Sequence, residues 1–330
     1  MPTVSQRSCS KLPWLVVSGY GAHIKSTPST LTIQKNGTVT EYPIGVVHHL
    51  LVVGGHTIHS AVLQHMQQAG NWVSFFSADG TPVGLLRPPG DKVDEQARMI
   101  QQHTPVHNYA LGITRAALGR RLQVIGETSV VIGENPLYLG ELEVLQDARE
   151  ELEYLVTLDE IRRLHRLATD MYYEIMARTI PKGTGFRRRT DRPYMDPVNA
   201  MLSFSYGVLS GVCAVHLAGA HLDADIGLLH HGERALVRDL TELFKPQMVD
   251  QPVFALVRQG ISAGDYEIGE SRCTLSDALI RRVLQQLQTS IGEAAIGRQV
   301  EVLADALVSG REFRIIDPAE FVPSIPLQKR

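Results

Sequence analysis

Hydrophobic positions change their period once along the chain. Over residues 14–87 they come in short runs rich in β-branched residues, such as Leu15-Val16-Val17, Leu31-Thr32-Ile33, Leu50-Leu51-Val52-Val53 and Val73-Ser74-Phe75-Phe76, separated by glycines. Runs of that length and composition predict strands. Asn36-Gly37 and Asp79-Gly80 are hairpin dipeptides, because those residues reach positive φ cheaply. Residues 60–69 depart from the pattern: Val62, Leu63 and Met66 recur at helical spacing, and Gly70 ends the segment. The expectation for residues 1–87 is a small, mainly antiparallel β domain with one inserted helix.

Pro88-Pro89-Gly90-Asp91 interrupts any regular structure and marks residues 88–94 as a linker. Beyond it, apolar residues return every three or four positions over 95–102, 109–125, 142–155, 158–178, 197–218, 233–244, 276–291 and 300–307. The remainder, 95–330, is therefore predicted to be a larger all-helical domain. Its last stretch, 317–330, holds three prolines and is predicted to be an extended tail. The fold class is α+β.

Composition narrows the setting. Hydrophobic residues make up 44% and charged residues 20% of the 330, which excludes a disordered or collagenous chain. A net charge of -3 gives no global sign of a nucleic-acid binder, so such a role must rest on local patches. Three widely spaced cysteines, Cys9, Cys213 and Cys273, argue against a disulfide framework or a zinc knuckle, and for a reducing cytoplasm. No run of apolar residues is expected to span a membrane, and the start of the chain lacks the apolar core of a signal peptide.

Candidate chemistry gathers in the second half. His230 closes Gly227-Leu-Leu-His, and Asp239 and Glu242 follow three residues apart, so on a helix both carboxylates share a side. One imidazole and two carboxylates suit a divalent ion such as Mg²⁺ or Mn²⁺, although paired acids on a helix are more often a solvated face. His216 and His221 read as core or helix-end histidines, and His48, His49, His56 and His59 match no zinc spacing. Basic residues cluster twice: Lys182 with Arg187, Arg188, Arg189 and Arg192, and Arg162, Arg163 and Arg166 around His165. Guanidinium forks match phosphate oxygens and would anchor a nucleic-acid backbone.

The order of these segments carries a resemblance. Residues 46–84 (with Val-Val-Gly-Gly-His-Thr-Ile-His-Ser-Ala-Val-Leu, then Phe-Phe-Ser-Ala-Asp-Gly-Thr-Pro-Val-Gly) resemble the N-terminal β domain of the CRISPR-associated integrase family, "Cas one". Asp196-Pro-Val-Asn199-Ala-Met-Leu-Ser-Phe-Ser-Tyr206-Gly is similar to its most recognisable helix start. Gly227-Leu-Leu-His230 and Asp239-Leu-Thr-Glu242-Leu-Phe-Lys245-Pro then follow in family order. The resemblance implies a homodimer of a β-sandwich-like domain and a helical catalytic domain, working in the cytoplasm. It further implies a small ferredoxin-like partner, "Cas two", and DNA substrates, branched or duplex, with 3′-hydroxyl ends. The implied reaction is metal-dependent attack of a 3′-hydroxyl on a phosphodiester, which inserts short duplexes into a CRISPR array, or endonucleolytic cleavage when water attacks.

The family holds its metal with a glutamate, a histidine and an aspartate. The resemblance places the histidine at His230 and the acid at Asp239 or Glu242, but it places His165 where the glutamate belongs. The catalytic set it implies is His230, Asp239 and Glu242, with His165 completing or flanking a metal shell. Arg162, Arg166, Lys182, Arg187, Arg188, Arg189 and Arg192 would bind DNA, and Asn199 and Tyr206 would orient a ligand. Exchanging a carboxylate for an imidazole removes one negative charge and favours nitrogen-accepting ions over Mg²⁺. The alternative is a silent or weakened family member that serves as a DNA-binding scaffold subunit.

Overall fold

Residues 14–190, 193–270, 272–311 and 313–316 are described by the structure, a computed structural model. The first part is one six-stranded sheet with a single helix. Its elements are β1 (Trp14–Ser26), β2 (Thr30–Lys35), β3 (Thr38–Pro43), β4 (His49–Ile58), α1 (Ser60–Gln68), β5 (Trp72–Phe76) and β6 (Pro82–Leu86). The order across the sheet is β3-β2-β1-β4-β5-β6. Both predicted hairpins form: Asn36-Gly37 joins β2 to β3, with φ of 51° and 77°, and Asp79-Gly80 joins β5 to β6. The two central pairings, β1 with β4 and β4 with β5, are parallel, so the sheet is mixed. Parallel neighbours need a crossover, which for β4 and β5 is α1.

The sandwich expected from the resemblance is a single sheet with different covers on its two faces. Leu50 and Val52 join Ile24, Leu31 and Val73 under Val62 and Met66 of α1. Leu51 and Val53, pointing the other way, join Trp14 and Phe76 in the core of the helical region. A strand covered on both faces reads as a continuous apolar run, which is why Leu50-Leu51-Val52-Val53 shows no alternation.

The helical region follows as α2 (Val93–His103), α3 (His107–Ile132), α4 (Glu141–Glu151), α5 (Leu158–Ala177), α6 (Pro197–Gly219), α7 (Ala235–Lys245), α8 (Gln251–Gln259), α9 (Asp277–Ser290) and α10 (Glu293–Ser309). A short hairpin, β7 (Tyr266–Ile268) and β8 (Cys273–Leu275), interrupts it, so the region is not wholly helical. The helix ends have local causes. Thr157 and Glu160 form a capping box at α5, Asp196 accepts from the Asn199 N–H at the start of α6, and Gly133 closes α3 in the left-handed conformation. Between α7 and α8, Pro246–Asp250 forms a wider π-helical turn that carries the chain on without a break. The predicted tail, 317–330, lies outside the described residues.

Helix α6 corrects one expectation: at 23 residues it is long and apolar enough to cross a bilayer, yet most of its apolar stretch is buried within the fold. It is also the seat of the sheet. Gly80 at the β5–β6 turn and Gly211 of α6 meet so closely that a Cβ on either would overlap the other strand's backbone. Further along α6, the Trp14 indole N–H donates to His216 Nδ1 at 2.9 Å. His49 of β4 stacks on His221 with centroids 4.8 Å apart.

These junction histidines make stability pH-dependent. Burial lowers the His216 pKa from 6.5 to about 4. Burial, then the neighbouring His221, lowers His49 to about 3. The folded protein holds both neutral while the unfolded chain takes up protons below 6.5, so their contribution is complete above that value and is lost as pH falls toward 4 and below. Urea unfolding followed from about pH 7 down to about pH 4.5 is expected to show a falling midpoint, and a shallower fall for His216→Gln. Equal slopes would remove His216 from the account.

Candidate functional site

Four elements bring their polar side chains to one point inside the helical region. Helix α5 offers His165 from the buried stripe that includes Ile161, Ala168, Tyr172 and Met176. Helix α7 offers Asp239 and Glu242 from its buried face, α3 offers Arg121, and the loop between α6 and α7 offers His230.

Asp239 builds that loop. Its Oδ2 accepts the backbone N–H groups of Leu228 at 2.5 Å and Leu229 at 3.0 Å. Its Oδ1 accepts the His230 backbone N–H at 2.9 Å and lies 2.6 Å from His230 Nδ1. Gly227 is needed because a Cβ there would strike the His230 carbonyl and Ala235. The sequence placed Asp239 among the metal ligands. In the structure both its oxygens are filled by the chain, and it orients His230, leaving Nε2 as the ring nitrogen available to a ligand.

Glu242 is paired on both oxygens. Its Oε2 accepts from Arg121 Nη2 at 2.7 Å, and its Oε1 accepts from Lys245 Nζ. Burial alone would keep this carboxyl protonated, but Lys245, then His165 and Arg121, hold its pKa well below the ordinary value. Arg121 is itself fully buried and remains charged against the cost of burial because Glu242 faces it. His165 Nε2 lies 3.4 Å from Glu242 Oε2 yet has no hydrogen-bond partner. Burial lowers the His165 pKa, so its imidazole is neutral. Its ring meets that of His230 edge-on, 6.1 Å between centroids. Among the described residues no three His, Cys, Asp or Glu side chains converge as a metal cage.

A second buried layer lies behind. Asp250 accepts from the Tyr206 hydroxyl, which is 2.6 Å from that of Tyr173. Burial pushes the Asp250 carboxyl up to about 6, against the Tyr206 hydrogen bond and the Arg121 charge. Tyr206, expected to orient a ligand, instead serves this layer. Asn199 is equally engaged: its Oδ1 accepts from Arg189 and Thr190, and its Nδ2 donates to Arg188 O and Asp196. Arg189 also donates to Ser203, so it braces the loop before α6. Lys182, Arg187, Arg188 and Arg166 are exposed, while Arg162 donates to the Leu229 carbonyl at 2.6 Å beside His230. Arg192 lies outside the described residues.

The glutamates nearest His165 in sequence are accounted for elsewhere. Glu160 caps α5 and Glu174 is exposed, so neither reaches the site. Sequence reading missed Arg121 and Asp250. A signal existed for the first: Arg121 falls four residues after Ala117 and four before Ile125, on a stripe otherwise apolar.

A family model described as CRISPR associated protein Cas1 matches residues 15–289. The chain belongs to the Cas1 family. A protein of Methanospirillum hungatei JF-1 bearing a CRISPR-associated endonuclease Cas1 name is 38% identical over 303 residues, which cover 92% of this chain and all of that one. Among solved structures, the partial Cas6-RT-Cas1–Cas2 complex superposes with a TM-score of 0.77 at 18% identity, covering 92% of this chain and 98% of that one. A casposase bound to integration product gives the same TM-score and identity, covering 91% and 96%. Those two likenesses establish the fold, an N-terminal sheet followed by a helical region.

The filled carboxylate predicts a stability signature. Glu242→Gln leaves Arg121 buried without its counter-charge and is expected to cost about 3–5 kcal/mol in urea unfolding. The double variant Arg121→Met/Glu242→Leu, which removes both charges and keeps the volume, is expected to recover most of that loss. A double variant as unstable as Glu242→Gln would mean that packing, not charge, sets the cost.

Proposed function

We propose that this Cas1-family chain serves CRISPR adaptation as a DNA-engaging subunit whose own centre is closed to Mg²⁺-dependent phosphodiester transfer. The observation that carries this reading is the double occupancy of Glu242 by Arg121 and Lys245. Mg²⁺ binds hard oxygen donors in an octahedron. Here both oxygens of Asp239 and both of Glu242 already hold protein donors, and the position from which a third carboxylate would come is His165. The residues present do not fit that ion, so no step is routed through it.

DNA engagement rests on the basic residues around this centre. Arg162 and Arg166 on α5, and Lys182, Arg187 and Arg188 on the loop before α6, would contact phosphates and set the register of a strand without reading its sequence. The Cas2 subunit of one related complex and the integration product held by the casposase support assembly with a small Cas2-type subunit and with DNA; a second copy of this chain and 3′-hydroxyl DNA ends complete the reading.

A second reading has its own observation. His165 Nε2 is buried and has no partner, and Asp239 leaves His230 Nε2 available. Two such nitrogens suit Mn²⁺, Co²⁺, Ni²⁺ or Zn²⁺ better than Mg²⁺. His165, His230 and Glu242 would then hold the ion, and Lys245 or Arg121 would have to give way. A bound ion of that kind would polarise the phosphoryl oxygens of a target diester.

Strand transfer and cleavage of a branched half-site DNA in Mg²⁺, Mn²⁺ or EDTA separates the two readings. The parent protein is expected to bind the DNA and give no product in Mg²⁺, with product gained by His165→Glu. Mn²⁺-dependent product from the parent that vanishes in His230→Ala would replace the first reading by the second.

A further inference from the structure

Helices α4 and α5 lie side by side and leave an open groove between them. Val144, Leu145 and Ala148 line it from α4, and Leu164, Leu167 and Met171 from α5, around a cavity of about 250 Å³. On α5 the lining positions Leu164, Leu167, Ala168 and Met171 follow the i, i+3, i+4, i+7 rule and form an apolar stripe, while on α4 the same spacing alternates Val144 and Ala148 with Asp147 and Glu151. The channel is open to water: Leu167 is 53% and Val144 51% exposed. Tyr138 and Leu139 on the preceding loop and Leu142 in the first turn of α4 are exposed too. A contiguous apolar patch of this kind marks an interaction site more often than an ordinary surface.

The rim carries the opposite chemistry to the DNA-facing side of α5. Asp147 and Glu151 line the channel on α4, and Asp170 and Glu174 are exposed on α5, with Arg149 of α4 and Arg163 of α5 exposed as well. Such a rim repels a nucleic-acid backbone and attracts lysine and arginine. An apolar stripe beside a second helix accepts the ridge of a third, with anchors one turn apart.

We infer that the α4–α5 groove is a docking site for a basic amphipathic helix of a protein partner. Leucine-type anchors of that helix enter the channel beside Leu167 and Val144, and its flanking lysines or arginines meet Asp147, Glu151 and Asp170.

The test uses the full chain and a fluorescein-labelled leucine–lysine amphipathic peptide of about 18 residues, long enough to span several helical turns. Anisotropy is expected to show binding that weakens with salt. It is expected to fall by roughly tenfold or more in Leu167→Glu and in Asp147→Lys/Glu151→Lys. A leucine–glutamate peptide of the same pattern is expected to bind far more weakly. Leu167 is half exposed, so Leu167→Glu is expected to melt like the parent, and that melt is the check on its fold. Absence of binding, equal binding of the two peptides, or equal binding by Leu167→Glu would each overturn the inference. So would a loss of dimer in Leu167→Glu by sedimentation, which would assign the groove to a second copy.

Discussion

The buried pair between Arg121 and Glu242 is the constraint around which the centre is arranged. A guanidinium and a carboxylate taken out of water each cost several kcal/mol, and the pair is tolerable only with short contacts and few loose ends. Arg121 belongs to α3 and Glu242 to α7, so the pair fixes how those helices approach one another. Lys245, one turn along α7, supplies the second donor to the same carboxylate from a partly exposed position. His165 of α5 packs beside the same carboxylate, its Nε2 3.4 Å from Glu242 Oε2 but outside hydrogen-bonding geometry.

Charge balance follows from the same pair. Asp239 and Glu242 contribute two negative charges, Arg121 and Lys245 two positive ones, and His165 is neutral by burial. Those four charges cancel, and the Asp250 carboxyl behind them, pushed up by burial to about 6, adds a further acid facing Arg121. A glutamate at position 165 would leave one negative charge unmatched, and an unmatched buried charge is what makes a cation welcome.

Much of this was legible in the chain. The change of hydrophobic period placed the sheet before the helices, the Asn36-Gly37 and Asp79-Gly80 dipeptides placed two hairpins, and Asp196-Pro197 marked the start of α6. Helix α8 was not legible, because Pro246 and Pro252 read as breaks while the structure carries the chain through them by a π-helical turn. The parallel pairing at the sheet centre was hidden because local dipeptides specify hairpins and say nothing about crossovers. Spacing and resemblance singled out His165, His230, Asp239 and Glu242, which the structure brings together, but not the side chains they pair with. Spacing puts Asp239 and Glu242 on one helix face and cannot tell that one accepts four donors from its own loop while the other faces a buried arginine 121 positions earlier. Long-range pairing of charges leaves no local trace beyond a polar residue on an apolar stripe.

Helix α5 joins these observations. At 100° per residue, Arg162 and Arg166 sit roughly 145° around the helix from the Leu164–Leu167–Met171 stripe, with His165 between them toward the interior. The basic side adjoins His230 through the Leu229 carbonyl, and the apolar side opens into an acid-rimmed groove. With 32 basic and 35 acidic residues the chain has no overall excess of positive charge, so any attraction of a polyanion depends on such local separation of the two signs.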